Sequence, residues 1–184
     1  MWSMRVFNAL KPTDFPVFGA NSAFATEDQI RQSLLNPYVV DANATPQTVF
    51  WMNRKHRAVH VMRDPKDLVV SAYFSHLKTH SLEGWDDLWE QREKLQQLSK
   101  EDGLIETIRF LDFVWSAYEN WKPDPKVLEV SFEELIQDPS GEWQKIADWY
   151  GWDVDVAPVV DRFSFENLTG RSRGTEDTDH HMRK

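Results

Sequence analysis

Apolar and polar positions alternate in two different ways along this chain. Over the first 50 residues the pattern is irregular. Residues 15–18 suit a short strand, Thr26 suits the cap of a helix over 27–35 that stops at Asn36-Pro37, and residues 38–40 suit an extended segment. From residue 57 the pattern sharpens. Ala58, Val59, Val61 and Met62 form a short β-branched run around His60, the signature of a buried strand. Asp64-Pro65 then supplies an N-cap and an N1 proline for a helix over 65–77, with Leu68, Val69, Ala72, Tyr73 and Leu77 on one face. Two more helices are expected. One spans 85–98. The other spans 104–121, with Leu104, Ile108, Leu111, Trp115 and Tyr118 as its apolar stripe. Lys122-Pro123-Asp124-Pro125 ends the second.

Val127, Leu128 and Val130 read as a second buried strand, followed by a short helix over 133–137. Ser140 is the expected cap of a helix that runs to Tyr150 and stops at Gly151. A last short helix covers 164–168 and stops near Gly170, and the tail 171–184, without apolar periodicity, reads as a loop. Strands separated by long helical stretches imply crossovers and a parallel sheet. The expected fold is therefore α/β, a parallel sheet flanked by helices, with ligands at the carboxyl ends of the strands.

Composition narrows the functional classes. Lys and Arg total 21 against 30 Asp and Glu, a net charge of −9, which disfavours nucleic acid and anionic lipid as partners. An anionic ligand then needs a local cluster of basic side chains. Cysteine is absent, so disulfides, thiolate metal sites and cysteine nucleophiles are excluded together. No run approaches the roughly 20 apolar residues of a membrane span, and residues 1–10 lack the features of a signal peptide. A cytoplasmic protein is expected.

The stretch from Val59 to Tyr73 carries the most chemistry. Arg63 stands at a strand end, and Ser71 follows eight residues later inside the next helix. A guanidinium and a hydroxyl in that arrangement suit a phosphate. Read alone, Arg63 could equally pair with Asp64 or Asp67.

In context the stretch resembles the 3′-phosphate-binding segment of sulfotransferases that use 3′-phosphoadenosine 5′-phosphosulfate. That family has a strand, then Arg-(Asp/Asn)-Pro-(Lys/Arg)-Asp, a Ser eight residues after the Arg, and an aromatic pair, here Tyr73-Phe74. Two further stretches, Leu128-Glu129-Val130-Ser131-Phe132-Glu133-Glu134-Leu135 and Ser164-Phe165-Glu166-Asn167-Leu168, are similar to family blocks in the family order. Met182-Arg183-Lys184 resembles the start of the family's Arg-Lys-Gly motif. The resemblance is strongest over 58–184.

It implies a P-loop-nucleotide-binding-like three-layer architecture and a sulfuryl transfer from 3′-phosphoadenosine 5′-phosphosulfate to a hydroxyl or amine of a small-molecule acceptor, with no metal. It implies that Arg63 and Ser71 bind the 3′-phosphate, that Arg183 and Lys184 close over it, and that Phe165 and Phe132 flank the adenine. Phe132 stands where the family has Tyr, so the ring is kept and the hydroxyl lost.

Two family features are not found. The family holds the phosphosulfate in a Gly-rich loop with a Lys, whereas Gly19 is the one glycine before Arg63 and has no Lys beside it. The family's base is commonly a His preceding the Arg-Asp-Pro strand, and residues 39–48 contain none. His76 and His80 are the substitutes considered, His60 lying within the strand. The expectation is a single sulfotransferase-like domain over 1–184, clipped at both ends. Its activity is left open against two alternatives: an inactive remnant that binds the adenosine 3′-phosphate portion, and a Trp-rich interaction module. Asp177, Asp179, His180 and His181 form a weak metal cluster at most. Trp85, Trp89, Trp115, Trp121, Trp143, Trp149 and Trp152 are expected mostly in the core.

Overall fold

The computed structural model describes residues 2–12, 18–36, 38–41, 43–52, 55–83 and 85–172. In chain order its elements are α1 (Trp2–Leu10), β1 (Phe18–Ala20), α2 (Glu27–Ser33), β2 (Val39–Asp41), α3 (Pro46–Trp51), β3 (Ala58–Met62) and α4 (Pro65–Phe74). They continue as α5 (Asp86–Gln97), α6 (Lys100–Phe110), α7 (Asp112–Asn120), β4 (Val127–Ser131), α8 (Phe132–Gln137), α9 (Pro139–Tyr150), α10 (Ala157–Arg162) and α11 (Phe165–Thr169). A 3-10 turn covers Ser22–Phe24, and a π-helical segment, Ser75–Thr79, extends α4. Both strand pairs are parallel, β1 with β2 and β3 with β4. The fold is α/β, with parallel strands flanked by helices, as the sequence implies. The helical crossover from β3 to β4 is long, which is what a parallel pair requires.

The chain divides into two compact units. The first comprises Met1–Met62 and Phe113–Ser164. Its core joins Val6 and Leu10 of α1, Val130 of β4, Leu135 of α8, Trp143, Ile146 and Ala147 of α9, and Val156 and Val160 in and before α10. Aromatic rings wall this core: Tyr150 stacks on Trp152 at 4.7 Å, and Phe7 meets both rings. Burial pushes the Tyr150 hydroxyl up to about 12. The first 50 residues are more regular than their pattern suggests. The i, i+4 pair Val6 and Leu10 builds α1, and Thr26 caps α2 through a reciprocal bond with Gln29. The expected strand at 15–18 lies outside the described residues except for Phe18, which opens β1.

The second unit comprises Arg63–Asp112 and Phe165–Lys184. Here α4 packs on α6, and α5 packs on α6 and on the π-helical segment. The single helix expected over 104–121 is two helices. Ser99 caps α6 earlier than expected, and the backbone leaves helical geometry at Leu111 (φ −88°, ψ 19°). Within α6 the buried residues are Gly103 and Thr107, where α4 approaches closely, and of the expected stripe Leu111 is buried just past the helix end. A Cβ on Gly103 would lie 2.6 Å from Tyr73 Cε2. Ile105 and Ile108 are left exposed.

Two smaller expectations are also corrected. Asp138, not Ser140, caps α9: its Oδ1 accepts from Gly141 N at 3.0 Å, since Pro139 at N1 fixes the cap one residue earlier. Of the seven tryptophans expected mostly in the core, Trp143 is fully buried and Trp89 is half exposed, with the others between. Gly151 ends α9 at φ 70°, the left-handed value that favours glycine.

Candidate nucleotide-binding site

Two strand ends carry candidate residues. β3 and β4 pair in register from Ala58↔Val127 to Met62↔Ser131. Arg63 follows Met62, and Phe132 follows Ser131, so each leaves the carboxyl end of a parallel strand, where α/β proteins bind ligands. Both are half-buried. The β-branched strand residues set this register, and the capped turns that follow fix where each chain departs.

The turn after β3 is built by Asp64. Its Oδ1 accepts from Lys66 N at 2.7 Å, and Pro65 stands at N1. Asp64 is therefore engaged as a helix cap. Ser71 lies seven positions after the cap, two turns along α4. It falls on roughly the same face as Asp64, about 10 Å up the helix axis. After β4, Ser131 is the cap, and Phe132 is the first residue of α8. Phe165 opens α11 and is buried, with the Arg171 guanidinium 5.2 Å from its ring centroid. Arg183 and Lys184 lie outside the described residues, as do Asp177, Asp179, His180 and His181.

The histidines differ from one another. His76 is buried among His80, Trp85 and Phe110, at 5.9, 5.6 and 5.3 Å between ring centroids. Arg92 donates to the carbonyls of His76 and His80. Burial, reinforced by the positive neighbours His80 and Arg92, lowers the His76 pKa to about 4. His76 is thus a neutral ring packed inside the second unit. His80 is exposed, with Nδ1 3.4 Å from Ser75 Oγ.

His60, which the sequence reading sets aside, has a carboxylate partner. Its Nδ1 lies 2.9 Å from Glu129 Oε2, and Trp121 Nε1 donates to Glu129 Oε1 at 2.8 Å. The Trp121 ring lies against His60, tilted by 32°, with ring centroids 3.7 Å apart. The carboxylate assigns the neutral ring's proton to Nδ1 and leaves Nε2 as the acceptor. Burial lowers the His60 pKa against the opposing pull of Glu129. One signal for this pair was in the sequence: His60 and Glu129 are the polar interruptions of two apolar strands. Pairing them needed the register.

Among the described residues no group of three or more His, Asp or Glu could hold a metal ion, and no helix is long and apolar enough to cross a membrane. Gly19, the glycine nearest to a loop before Arg63, lies within β1, and the 3-10 turn that follows carries no lysine.

Parallel strands that end in capped helices define an α/β protein. Comparison with known proteins is specific. The sulfotransferase domain profile matches residues 35–184, and the chain belongs to the sulfotransferase domain family. It is 30% identical over 132 residues to luciferin sulfotransferase of Photinus pyralis, a match that covers 68% of this chain and 33% of that one. It is similar in fold to mouse sulfotransferase SULT7A1 complexed with PAP. That match has a TM-score of 0.51 and 20% identity, and covers 94% of this chain and 62% of the mouse chain. The chain thus spans about a third of the first relative and under two thirds of the second.

Proposed function

We propose that this chain is the nucleotide-binding portion of an enzyme that transfers a sulfuryl group from 3′-phosphoadenosine 5′-phosphosulfate to a hydroxyl or amine of a small-molecule acceptor. The observation that carries the reading is the β3–α4 turn: Arg63 leaves the carboxyl end of a parallel strand, and Ser71 follows two turns along the capped helix. In this reading Arg63 and Ser71 hold the 3′-phosphate, the first by a charged, forked contact and the second by one hydroxyl. Phe165 and Phe132 flank the adenine, and Arg183 and Lys184 add charge at the same phosphate. Residues 1–184 are read as one sulfotransferase-like domain. The reading needs no metal, and a chain without cysteine suits a reducing cytoplasmic setting.

The donor set fits one end of the nucleotide better than the other. Arg63 and Ser71 suit the 3′-phosphate. At the phosphosulfate end, the described residues before Arg63 offer no Gly-rich loop with a lysine. That observation favours a second reading of the chain alone: it recognises the adenosine 3′-phosphate portion and turns over little donor, since electrostatic stabilisation is usually the largest part of such catalysis. Calorimetry and a turnover assay separate these readings. Adenosine 3′,5′-bisphosphate should bind with an affinity that falls as salt rises, and adenosine 5′-phosphate should not bind. Equal affinities would reduce the site to a generic adenine pocket. Robust transfer from labelled donor by this chain would reject the second reading.

A further inference from the structure

The ring assigned to the adenine is covered by a cation. α11 is five residues long, and its end folds back on its beginning. Thr169 Oγ1 donates to the Phe165 carbonyl at 2.7 Å and accepts from Arg171 N at 3.2 Å. Gly170 adopts φ 68°, a left-handed value, and its N–H returns to the Glu166 carbonyl at 2.8 Å. This tight turn places the Arg171 guanidinium 5.2 Å from the Phe165 ring centroid and helps leave Phe165 only 7% exposed. The backbone of Arg171 is held by the turn, while its side chain reaches over the ring.

A base cannot stack on a ring face that a guanidinium already occupies. It can enter between the two. We propose that Arg171 is a nucleotide-binding residue, and that the adenine slides between the Phe165 ring and the Arg171 guanidinium to form a three-layer stack, so that Phe132 meets the base at its edge and not on a face. This rests on the assignment of Phe165 to the adenine made above. Two contacts at the optimal separation require about 7 Å between ring and guanidinium, a shift of about 2 Å from the observed spacing. A long side chain with a fixed backbone can make that shift without opening the turn. Both layers suit the base: an aromatic ring stacks on any base, and a planar guanidinium stacks on the opposite face and adds its charge. The same closed stack keeps Phe165 shielded from water when no nucleotide is bound.

Binding of adenosine 3′,5′-bisphosphate and of a base-less ribose 3,5-bisphosphate to the full chain tests the stack. The proteins compared are the wild type, Arg171→Ala, Arg171→Lys and Arg63→Ala. Thermal unfolding of each confirms that it folds. Arg171→Ala should weaken the nucleotide about tenfold and leave the base-less compound unchanged. Arg171→Lys should recover only part of that loss, because an ammonium is not planar. Arg63→Ala should weaken both ligands. If Arg171→Ala weakens both ligands equally, Arg171 is a phosphate contact and the stack is wrong. If it leaves the nucleotide unchanged or tightens it, Arg171 is at most a plug on the ring. A wild type with no affinity for the bisphosphate overturns the proposed function, and this inference with it.

Discussion

The turns after β3 and β4 look alike, yet they present their residues differently. In each, a parallel strand ends, a polar side chain caps a helix, and a candidate ligand residue stands beside the cap. After β3 the order is Arg63 and then the cap Asp64, so the arginine lies outside the helix. After β4 the order is the cap Ser131 and then Phe132, so the ring belongs to the first turn of α8. A guanidinium outside the helix can turn its fork toward a phosphate. A ring on the first turn has its direction set by the helix. The helices also differ in what anchors them. α4 buries Val69 and Tyr73, meets Gly103 of α6, and runs on into the π-helical segment that buries His76. α8 lasts six residues and is anchored by one fully buried side chain, Leu135.

Acid should break the comparison most strongly, because only the α4 side ends on a buried histidine. The folded pKa of His76 is about 4 against an ordinary 6.5, so between these values the unfolded chain binds the extra proton. The stability contributed by keeping this ring neutral is full above pH 6.5 and is lost as pH falls toward 4. At about 1.4 kcal/mol per pK unit, the loss approaches about 3 kcal/mol. Urea unfolding of the wild type and of His76→Leu at pH 7 and pH 4.5 should show a smaller drop for the variant. Equal drops would assign the acid sensitivity to carboxylates elsewhere.

Ligand binding should separate the two turns next. Arg63→Ala should weaken adenosine 3′,5′-bisphosphate by about 1.5–3 kcal/mol, the cost of a lost charged hydrogen bond. Phe132→Ala should cost about 1 kcal/mol, the low end of a base contact, since Phe165 and Arg171 still hold the two faces. Calorimetry of the two variants orders the contributions. A larger loss at Phe132 than at Arg63 would mean that the base, and not the phosphate, dominates recognition.

The features that sequence reading located are those with local causes. β3 spans residues 58–62 as its β-branched run implies, and the cap at Asp64 and the stop at Gly151 follow from single residues with fixed backbone roles. The features it missed depend on distant partners. α3 ends with carbonyls that Lys126 satisfies: its Nζ donates to Val49 O and Met52 O, more than 70 positions away. The buried face of α6 turns on Tyr73 of α4 meeting Gly103. α10 is held by Val160 in the core that it shares with Val6 and Leu10 of α1, near the beginning of the chain. The site divides in the same way. Arg63 and Ser71 are candidates through the resemblance of their stretch to a family segment, whereas the His60–Glu129 pair and Arg171 over Phe165 require a register and a turn.

The caps themselves give the smallest and most direct test of the two turns. Asp64 accepts from Lys66 N at 2.7 Å and carries a negative charge at a helix N-terminus, where the dipole favours it. Ser131 is neutral and accepts from Glu134 N at 3.4 Å, while its hydroxyl donates to Glu133 at 2.9 Å. The shorter, charged bond contributes more, so Asp64→Ala should cost about 1 kcal/mol and Ser131→Ala about half of that. Urea unfolding at neutral pH measures both. Asp64→Asn sharpens the result: it keeps an acceptor at the cap and removes the charge, so it should recover most of the loss if hydrogen bonding dominates. The same variants bear on Arg63. Fraying the first turn of α4 loosens the segment that aims the guanidinium, so Asp64→Ala should also weaken the bisphosphate slightly, while Ser131→Ala acts through Phe132 alone. If Asp64→Ala lowers stability but leaves nucleotide affinity untouched, Arg63 is aimed by β3 and not by the helix it precedes.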